Sequence, residues 1–483
     1  MDPETTVAQR GQWSVPVPLS SRAASASYPR IAADQSGRLH VIWSQRETPD
    51  APYPGTSIYY TWMDPQTGRW ISPASVLVSP NHTETMTHRP NLLYDGNGWL
   101  HVMWASGPLE YARAPASPPP VSSRAWSEPF AVSDTVWDDR VSEWAMDSKG
   151  VIHLVWESAS RDPTLGAQNF TGYFIKYSRS SDRGANWSDP RAIVLPEDHP
   201  ALPRIYIDSH DAIFVLWWSN DSDAEGGSGN YVVSRSTDGG ETFRSKILAK
   251  GYWSSAEAIT SMALAETVGK LIVAWVESGR AKFVTSNDGG QRWTDAKAFS
   301  ADSTLINLID LVTDSSGQVH AFTVQSAQNG IQLTHWVSDG ETWRQADQLP
   351  FIKDASTGDM SEVRALISER NRLNVVYSLV DSQSGRAQRL RVWYSMRMLG
   401  TPGIAPAPVP TVAQTTRPTL TPQPTGTASP LNTRTAIPTT VRGATESEQP
   451  ANVQSATLYA IGLPVLMVCG LLILVVLFRA QSR

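Results

Sequence analysis

The segment Ile31-Ala32-Ala33-Asp34-Gln35-Ser36-Gly37-Arg38-Leu39-His40-Val41-Ile42-Trp43 decides how this 483-residue chain is to be read. Its apolar entry, its Asp-x-x-Gly corner and its apolar exit ending in Trp predict a β-hairpin. Asp is favoured at the first position of a type I turn and Gly at the fourth. The pattern returns with Asp95, Gly98, His101 and Trp104, and again with Asp147, Gly150, His153 and Trp156. Looser copies end at Trp217 after Asp208, at Trp275 after Gly269, at Thr323 after Asp314, Gly317 and His320, and at Tyr377. The ends recur at intervals of roughly 50 to 60 residues, the length of one four-stranded unit in a radial repeat.

A second hairpin follows each of the first six. Three copies carry Ser-x-Asp-x-Gly-x-x-aromatic: Ser180, Asp182, Gly184 and Trp187; Ser236, Asp238, Gly240 and Phe243; Ser286, Asp288, Gly290 and Trp293. A degenerate copy ends at Trp343, and looser ones end at Trp70 and Trp126. Carboxylate and hydroxyl satisfy backbone N–H groups in such a turn, Gly takes the corner with positive φ, and the aromatic packs beneath. After Tyr377 the chain makes one more strand before its composition changes. Gln12-Trp13-Ser14-Val15-Pro16 reads like the blade ends Asn186-Trp187-Ser188-Asp189-Pro190 and Ala125-Trp126-Ser127-Glu128-Pro129. An N-terminal strand that completes the last unit would close the ring and remove its exposed edges. The expectation is an all-β, seven-bladed propeller over residues 1–400, with six blades as the alternative.

The tryptophans follow the repeat. Trp13, Trp43, Trp70, Trp104, Trp126, Trp156, Trp187, Trp217, Trp275, Trp293 and Trp343 occupy repeat positions and read as core. Trp137 and Trp253 fall in connections just before inner strands and are the better surface candidates. His40, His101, His153 and His320 stand one per blade, so the fold separates them, and no metal site or cofactor is expected.

The rest of the chain differs in kind. All 19 Trp lie before residue 400. Residues 401–454 are rich in Pro, Thr, Ala and Ser and read as a disordered stalk. Residues 455–478 form an apolar, uncharged run, long enough as a helix to cross a hydrocarbon core of about 30 Å. The single cysteine, Cys469, lies inside that run and reads as an apolar filler. A short basic tail, residues 479–483, carries Arg479 and Arg483, whereas Glu446 and Glu448 precede the apolar run. The positive-inside rule then places the tail in the cytoplasm and the propeller outside, as a single-pass cell-surface protein. No apolar h-region stands in residues 1–25, so the signal for export is expected upstream of this start, the other reading being insertion from the C-terminus with the propeller kept inside. The net charge of −6, without a basic run, argues against nucleic-acid binding.

The candidate site follows from the repeat. Four residues before each turn Asp, where inner strands begin, stand Arg30, Asn91, Glu143, Arg204, Met262, Asp310 and Arg364. Charge at such positions is not what packing alone selects. Two readings are open: a self-neutralising salt-bridge network at the channel mouth, or three arginines converging on an anionic ligand.

The three Ser-x-Asp-x-Gly-x-x-aromatic turns resemble the Asp box (BNR repeat) of the sialidase-type propellers. That resemblance covers the repeat region and implies a fold staple at the boxes. It also implies three inner-strand arginines that hold a substrate carboxylate, here Arg30, Arg204 and Arg364. Tyr28-Pro29-Arg30-Ile31-Ala32 is similar to the family's Phe/Tyr-Arg-Ile-Pro motif. Asp50, after Ser44-Gln45-Arg46, is the nearest match to the family's acid/base Asp, and Glu143 is at most a distant analogue of its Glu. The family's Tyr nucleophile has no counterpart in residues 306–310 or 360–364. The expected function is a binding module for a glycan or protein ligand on the channel face, without turnover. The alternatives are an exo-α-sialidase or other glycoside hydrolase, and a purely structural scaffold or assembly factor, which Arg–Glu pairs closed across the channel would favour.

Overall fold

In the computed structural model, residues 11–46, 57–78, 89–105, 108–133, 139–161, 170–220, 228–252, 262–299, 306–357, 361–381 and 389–400 are described, with Val78, Arg140, Ser160, Arg161, Phe170, Thr171 and Tyr252 described in backbone only. The chain divides into Met1–Ala413 and Gln414–Arg483, and the second unit lies wholly outside the described residues. So do the expected stalk, apolar run and tail. Among the described residues no helix is long and apolar enough to cross a membrane.

Seven antiparallel sheets form seven blades, and the six-bladed alternative is set aside. The inner strands are Ser25–Ala33, Asn91–Tyr94, Asp139–Met146, Pro200–Ile207, Met262–Thr267, Ile306–Thr313 and Glu362–Ser368. In blades I to VI the four strands pair in chain order. Blade VII takes its outermost strand from the start of the chain: Val17 pairs with Tyr394 and Pro18 with Trp393, with a further bridge between Trp13 and Arg397. A short N-terminal strand thus completes blade VII and closes the ring, and the third strand of that blade is no longer an open edge.

Second strands such as Leu39–Arg46 and Ile152–Arg161 are buried along nearly their whole described length, because both of their faces are covered by neighbouring blades. Trp43, Trp104, Trp156 and Trp275 are almost wholly buried between blades. One cluster joins Trp43, Val41 and Leu39 of blade I to Val376, Val392 and Tyr394 of blade VII, so the closing seam is packed like any other.

The first hairpins of blades I to IV and VI are held from within by their turn Asp. Asp34 Oδ1 accepts the N–H groups of Ser36 and Arg38 at 2.8 and 2.9 Å, and Gly37 turns the chain at φ 80°. The histidines complete this staple and do not gather. His40 Nε2 lies 3.3 Å from Asp34 and its Nδ1 2.7 Å from the Tyr60 hydroxyl. His101 with Tyr111 and His153 with Tyr177 repeat the arrangement at 2.7 and 2.8 Å. In blade VI, His335 takes the place of the tyrosine, 2.8 Å from His320.

The Asp boxes are built as expected within each turn, with one correction. Ser180 Oγ donates to Asp182 and accepts the Gly184 N–H at 2.8 Å, and Asp182 accepts the Asn186 N–H. Ser236 with Asp238 and Ser286 with Asp288 do the same. The aromatic, however, does not simply pack beneath its own turn. Trp187 meets Tyr111 of the preceding blade edge-on at 5.6 Å, and Phe243 meets Tyr177 at 5.3 Å. Each of these two boxes therefore staples one blade to the one before it.

Candidate functional site

Three inner strands are interrupted by a bulge just before their ring residue. The register slips between Ser27 and Arg30, between Arg140 and Ser142, and between Ala201 and Arg204. The extra residue takes a positive φ without being glycine: Tyr28 at 55°, Val141 at 24° and Leu202 at 55°. Such backbone costs on the order of 1–3 kcal/mol per residue and re-aims the side chains beyond it. Here those side chains are Arg30, Glu143 and Arg204.

They meet at the channel mouth. Arg30 donates to Glu362 at 2.5 Å and to Glu143 at 3.1 Å. Arg364 reaches the same two carboxylates at 2.5 and 2.8 Å. Arg204 stands farther off, 3.7 Å from Glu143 and 3.8 Å from Glu362, and its side chain is 22% exposed against 8% for Arg30 and 10% for Arg364. Asn91 donates to Glu143 at 3.2 Å and to the Ser142 carbonyl. Asp310 accepts the Ala365 N–H at 2.8 Å. The Arg89 guanidinium lies 4.6 Å over the Tyr28 ring.

The electrostatics follow from this packing. Burial works against the carboxylates of Glu143 and Glu362, but the surrounding guanidiniums win. Glu143 is held below its ordinary value and Glu362 is pushed down to about 2. Burial, then the like charges of Arg204 and Arg30, bring Arg364 down to about 10. Burial opposes the charge of Arg30 too, yet Glu362 and Glu143 raise it. Asp310, with burial as its largest influence, is raised. Arg30 Nε and Arg364 Nη1 are buried without an acceptor among the described residues. The cavity bounded by Tyr28, Arg89, Glu143, Arg204, Glu362 and Arg364 measures about 30 Å³, room for roughly two waters.

The arginines expected from sequence thus converge, but on two glutamates of the same chain. Asn91 and Asp310 belong to the same ring, and Met262 is buried in the apolar core. Glu143 serves as a shared acceptor for guanidiniums and an amide. Asp50, Trp137 and Trp253 lie outside the described residues.

Sequence reasoning missed Glu362, Arg89 and Tyr28. Glu362 stands two residues before Arg364 on one strand, hence on the same face. Tyr28-Pro29-Arg30, Arg89-Pro90-Asn91 and Leu202-Pro203-Arg204 share an x-Pro-x form that marks the residue two places before three ring positions. Reading that form as a unit would have found Arg89 and Tyr28.

No family model and no curated protein matches the chain. Among solved structures it is similar to a polysaccharide lyase, PL25 ulvan lyase, bound to a repeat of glucuronic acid and 3-sulfated rhamnose. That match has 13% identity and a TM-score of 0.54, and covers 80% of this chain and 96% of the other. A protein of unknown function from Dyadobacter fermentans matches at 14% identity and a TM-score of 0.47, covering 80% and 98%. An intramolecular trans-sialidase from Ruminococcus gnavus, in complex with oseltamivir carboxylate, matches at 12% identity and a TM-score of 0.42, covering 78% and 95%. The likeness to the lyase is one of fold, and in fold this chain is an Asp-box β-propeller of seven blades.

Proposed function

We propose that the propeller is a binding module for an anionic glycan, held at the cell surface by the apolar run 455–478, and that it recognises its ligand at the channel mouth without turnover. One observation carries this reading: four guanidiniums, from Arg30, Arg89, Arg204 and Arg364, crowd a mouth in which Glu143 and Glu362 are the depressed carboxylates. Four arginines and two glutamates line that cavity, with Asp310 of the same ring and Glu157 also acting on its arginines. Arg204 is the most exposed of the three ring arginines and the most loosely held, so it is the group a ligand carboxylate or sulfate meets first. The cavity of about 30 Å³ is too small to take in a sugar ring, which favours recognition at the mouth over catalysis within it. The ligand of the ulvan lyase that shares the fold is likewise carboxylated and sulfated.

The test is equilibrium binding of an oligogalacturonate, a dextran sulfate and neutral dextran to the full-length chain in detergent. Binding of either anionic polymer that falls at least tenfold in Arg204→Gln, with neutral dextran unbound, is the expected result. Equal binding by parent and variant would overturn the channel-mouth reading.

A second reading rests on Tyr28. It lines the same cavity as Glu143 and Glu362, and supplies from the first inner strand the tyrosine that the late strands lack. An exo-α-sialidase or other glycoside hydrolase with Tyr28 as nucleophile would need the Arg–Glu pairs to open before substrate enters. Turnover of a fluorogenic sialoside or uronide that is abolished in Tyr28→Phe would establish it in place of binding alone.

A further inference from the structure

A second basic cluster lies at the seam where blade VII meets blade I. A cavity of about 210 Å³ is lined by Ser21, Arg22, Ala24, Asp381, Arg389, Leu390 and Arg391. It shares the channel mouth's side of the ring. Residues 20–24 lead into the first inner strand, Asp381 ends the second strand of blade VII, and Arg389 begins the third. In an antiparallel blade those three points lie at the end where inner strands begin.

The charges there do not balance. Three guanidiniums face one carboxylate, Asp381, which Arg22 approaches at 3.6 Å. Arg391 is pinned by a hydrogen bond from its Nε to the Ser20 carbonyl at 3.3 Å and by stacking 4.7 Å over the Trp393 ring. Arg389 Nη1 donates to the Arg22 carbonyl at 3.4 Å, and its Nε is buried without an acceptor among the described residues. The floor is rigid: the N–H groups of Leu390 and Val392 donate to Ser25 Oγ and Ser20 Oγ at 3.2 and 3.0 Å. Burial and then the like charge of Arg22 depress Arg391, while Asp381 opposes them, so a further anion would relieve repulsion already present.

Self-repelling guanidiniums fixed around an open cavity cost stability unless something offsets them, and closing the ring requires only the packed seam and the strand Val17–Pro18. We propose that the seam between blades VII and I is an anion-binding subsite for a sulfate or carboxylate group of the glycan, distinct from the channel mouth. Arg391 and Arg389 form its fixed wall, and Arg22 is its exposed arm. The subsite rests on the glycan-binding reading for its ligand but not for its existence. Two anion sites on one side of the ring suit an extended polyanion better than a single terminal sugar, because linked contacts raise affinity by effective concentration.

The experiment is titration of the full-length chain in detergent, first with inorganic sulfate and then with a dextran sulfate oligomer, at fixed ionic strength. Arg22→Gln, Arg391→Lys, the double variant Arg22→Gln/Arg389→Gln, and the channel variant Arg204→Gln stand beside the parent. Arg391→Lys keeps the charge and reports on the fork geometry, and thermal melts identify any variant that does not fold. The expected result is one class of saturable sulfate binding that weakens at least fivefold in Arg22→Gln and is lost in the double variant, with a second class, at the channel mouth, as the one that Arg204→Gln weakens. If folded seam variants bind sulfate as the parent does, or the parent shows no saturable binding, the subsite is overturned. Sulfate binding lost in the seam variants, with dextran sulfate binding insensitive to Arg204→Gln, would retain the seam and remove the channel-mouth reading.

Discussion

Arg364 touches both Glu143, 221 residues earlier in the chain, and Glu362, its neighbour but one, at 2.8 and 2.5 Å. A single guanidinium thereby ties the inner strand of blade III to that of blade VII across the channel mouth, and Arg30 ties blade I to the same two carboxylates.

Removing one partner from this network leaves its counter-charges buried. Glu143→Ala is expected to cost about 3–5 kcal/mol, the range for breaking a buried ion pair. Combining it with Arg364→Met should cost less than the two singles together. Urea unfolding of the four proteins measures the coupling, and strict additivity would show that the two groups do not act as a unit.

The pH dependence has a definite sign. The Glu362 carboxyl is held near 2 in the folded protein against roughly 4.3 for a free Glu. Its stabilisation is therefore complete above the ordinary carboxylate range and is lost as pH falls from about 4.3 towards 2. The whole effect is on the order of 3 kcal/mol. Glu143 adds to it in the same sense. Asp310, whose carboxyl is raised, acts oppositely and favours the fold when protonated. Melting temperatures from pH 7 to 3 should fall less steeply for Glu362→Gln than for the parent. Parallel profiles would show that Glu362 is not ionised in the network.

Gly184 is required twice over. Its φ is 77°, and a Cβ there would lie 1.9 Å from the Tyr111 hydroxyl of the preceding blade. Gly184→Ala should cost about 2–4 kcal/mol, from left-handed backbone strain and overpacking together. Gly150→Ala bears the strain at φ 81° without the clash and should cost less. Equal losses in chemical denaturation would mean that the contact with Tyr111 is soft.

Closure depends on the start of the chain. Trp13 donates its indole N–H to Asp347 at 2.8 Å and packs edge-on against Phe322 and His335 at 5.6 Å, so the closing segment also grips blade VI. A chain lacking residues 1–18 should melt at least 5 °C lower and associate through the bared third strand of blade VII. Light scattering with thermal melts reads both, and an unchanged monomer would show the strand to be dispensable.

Much of the architecture can be read directly from the chain. Asp-x-x-Gly corners, Ser-Asp-Gly boxes and the regular return of Trp depend on contacts within a few residues. Local hydrogen-bonding chemistry of this kind leaves its mark on adjacent positions, so the blade count, the boxes and the role of the N-terminal segment were legible. The candidate site was half legible. Repeat position singled out Arg30, Asn91, Glu143, Arg204, Asp310 and Arg364, because equivalent positions in a ring must come close together.

The partners of those side chains were a different matter. Whether three arginines await a ligand or grip Glu143 and Glu362 depends on the bulges at Tyr28, Val141 and Leu202, which shift the strands by one residue and re-aim Arg30, Glu143 and Arg204. The seam of Arg22, Arg389 and Arg391 joins residues more than 360 positions apart, and neither end carries a motif. Repetition along the chain determined the fold. Closure of the ring, which sets strands from both ends of the chain side by side, decided where the charges meet.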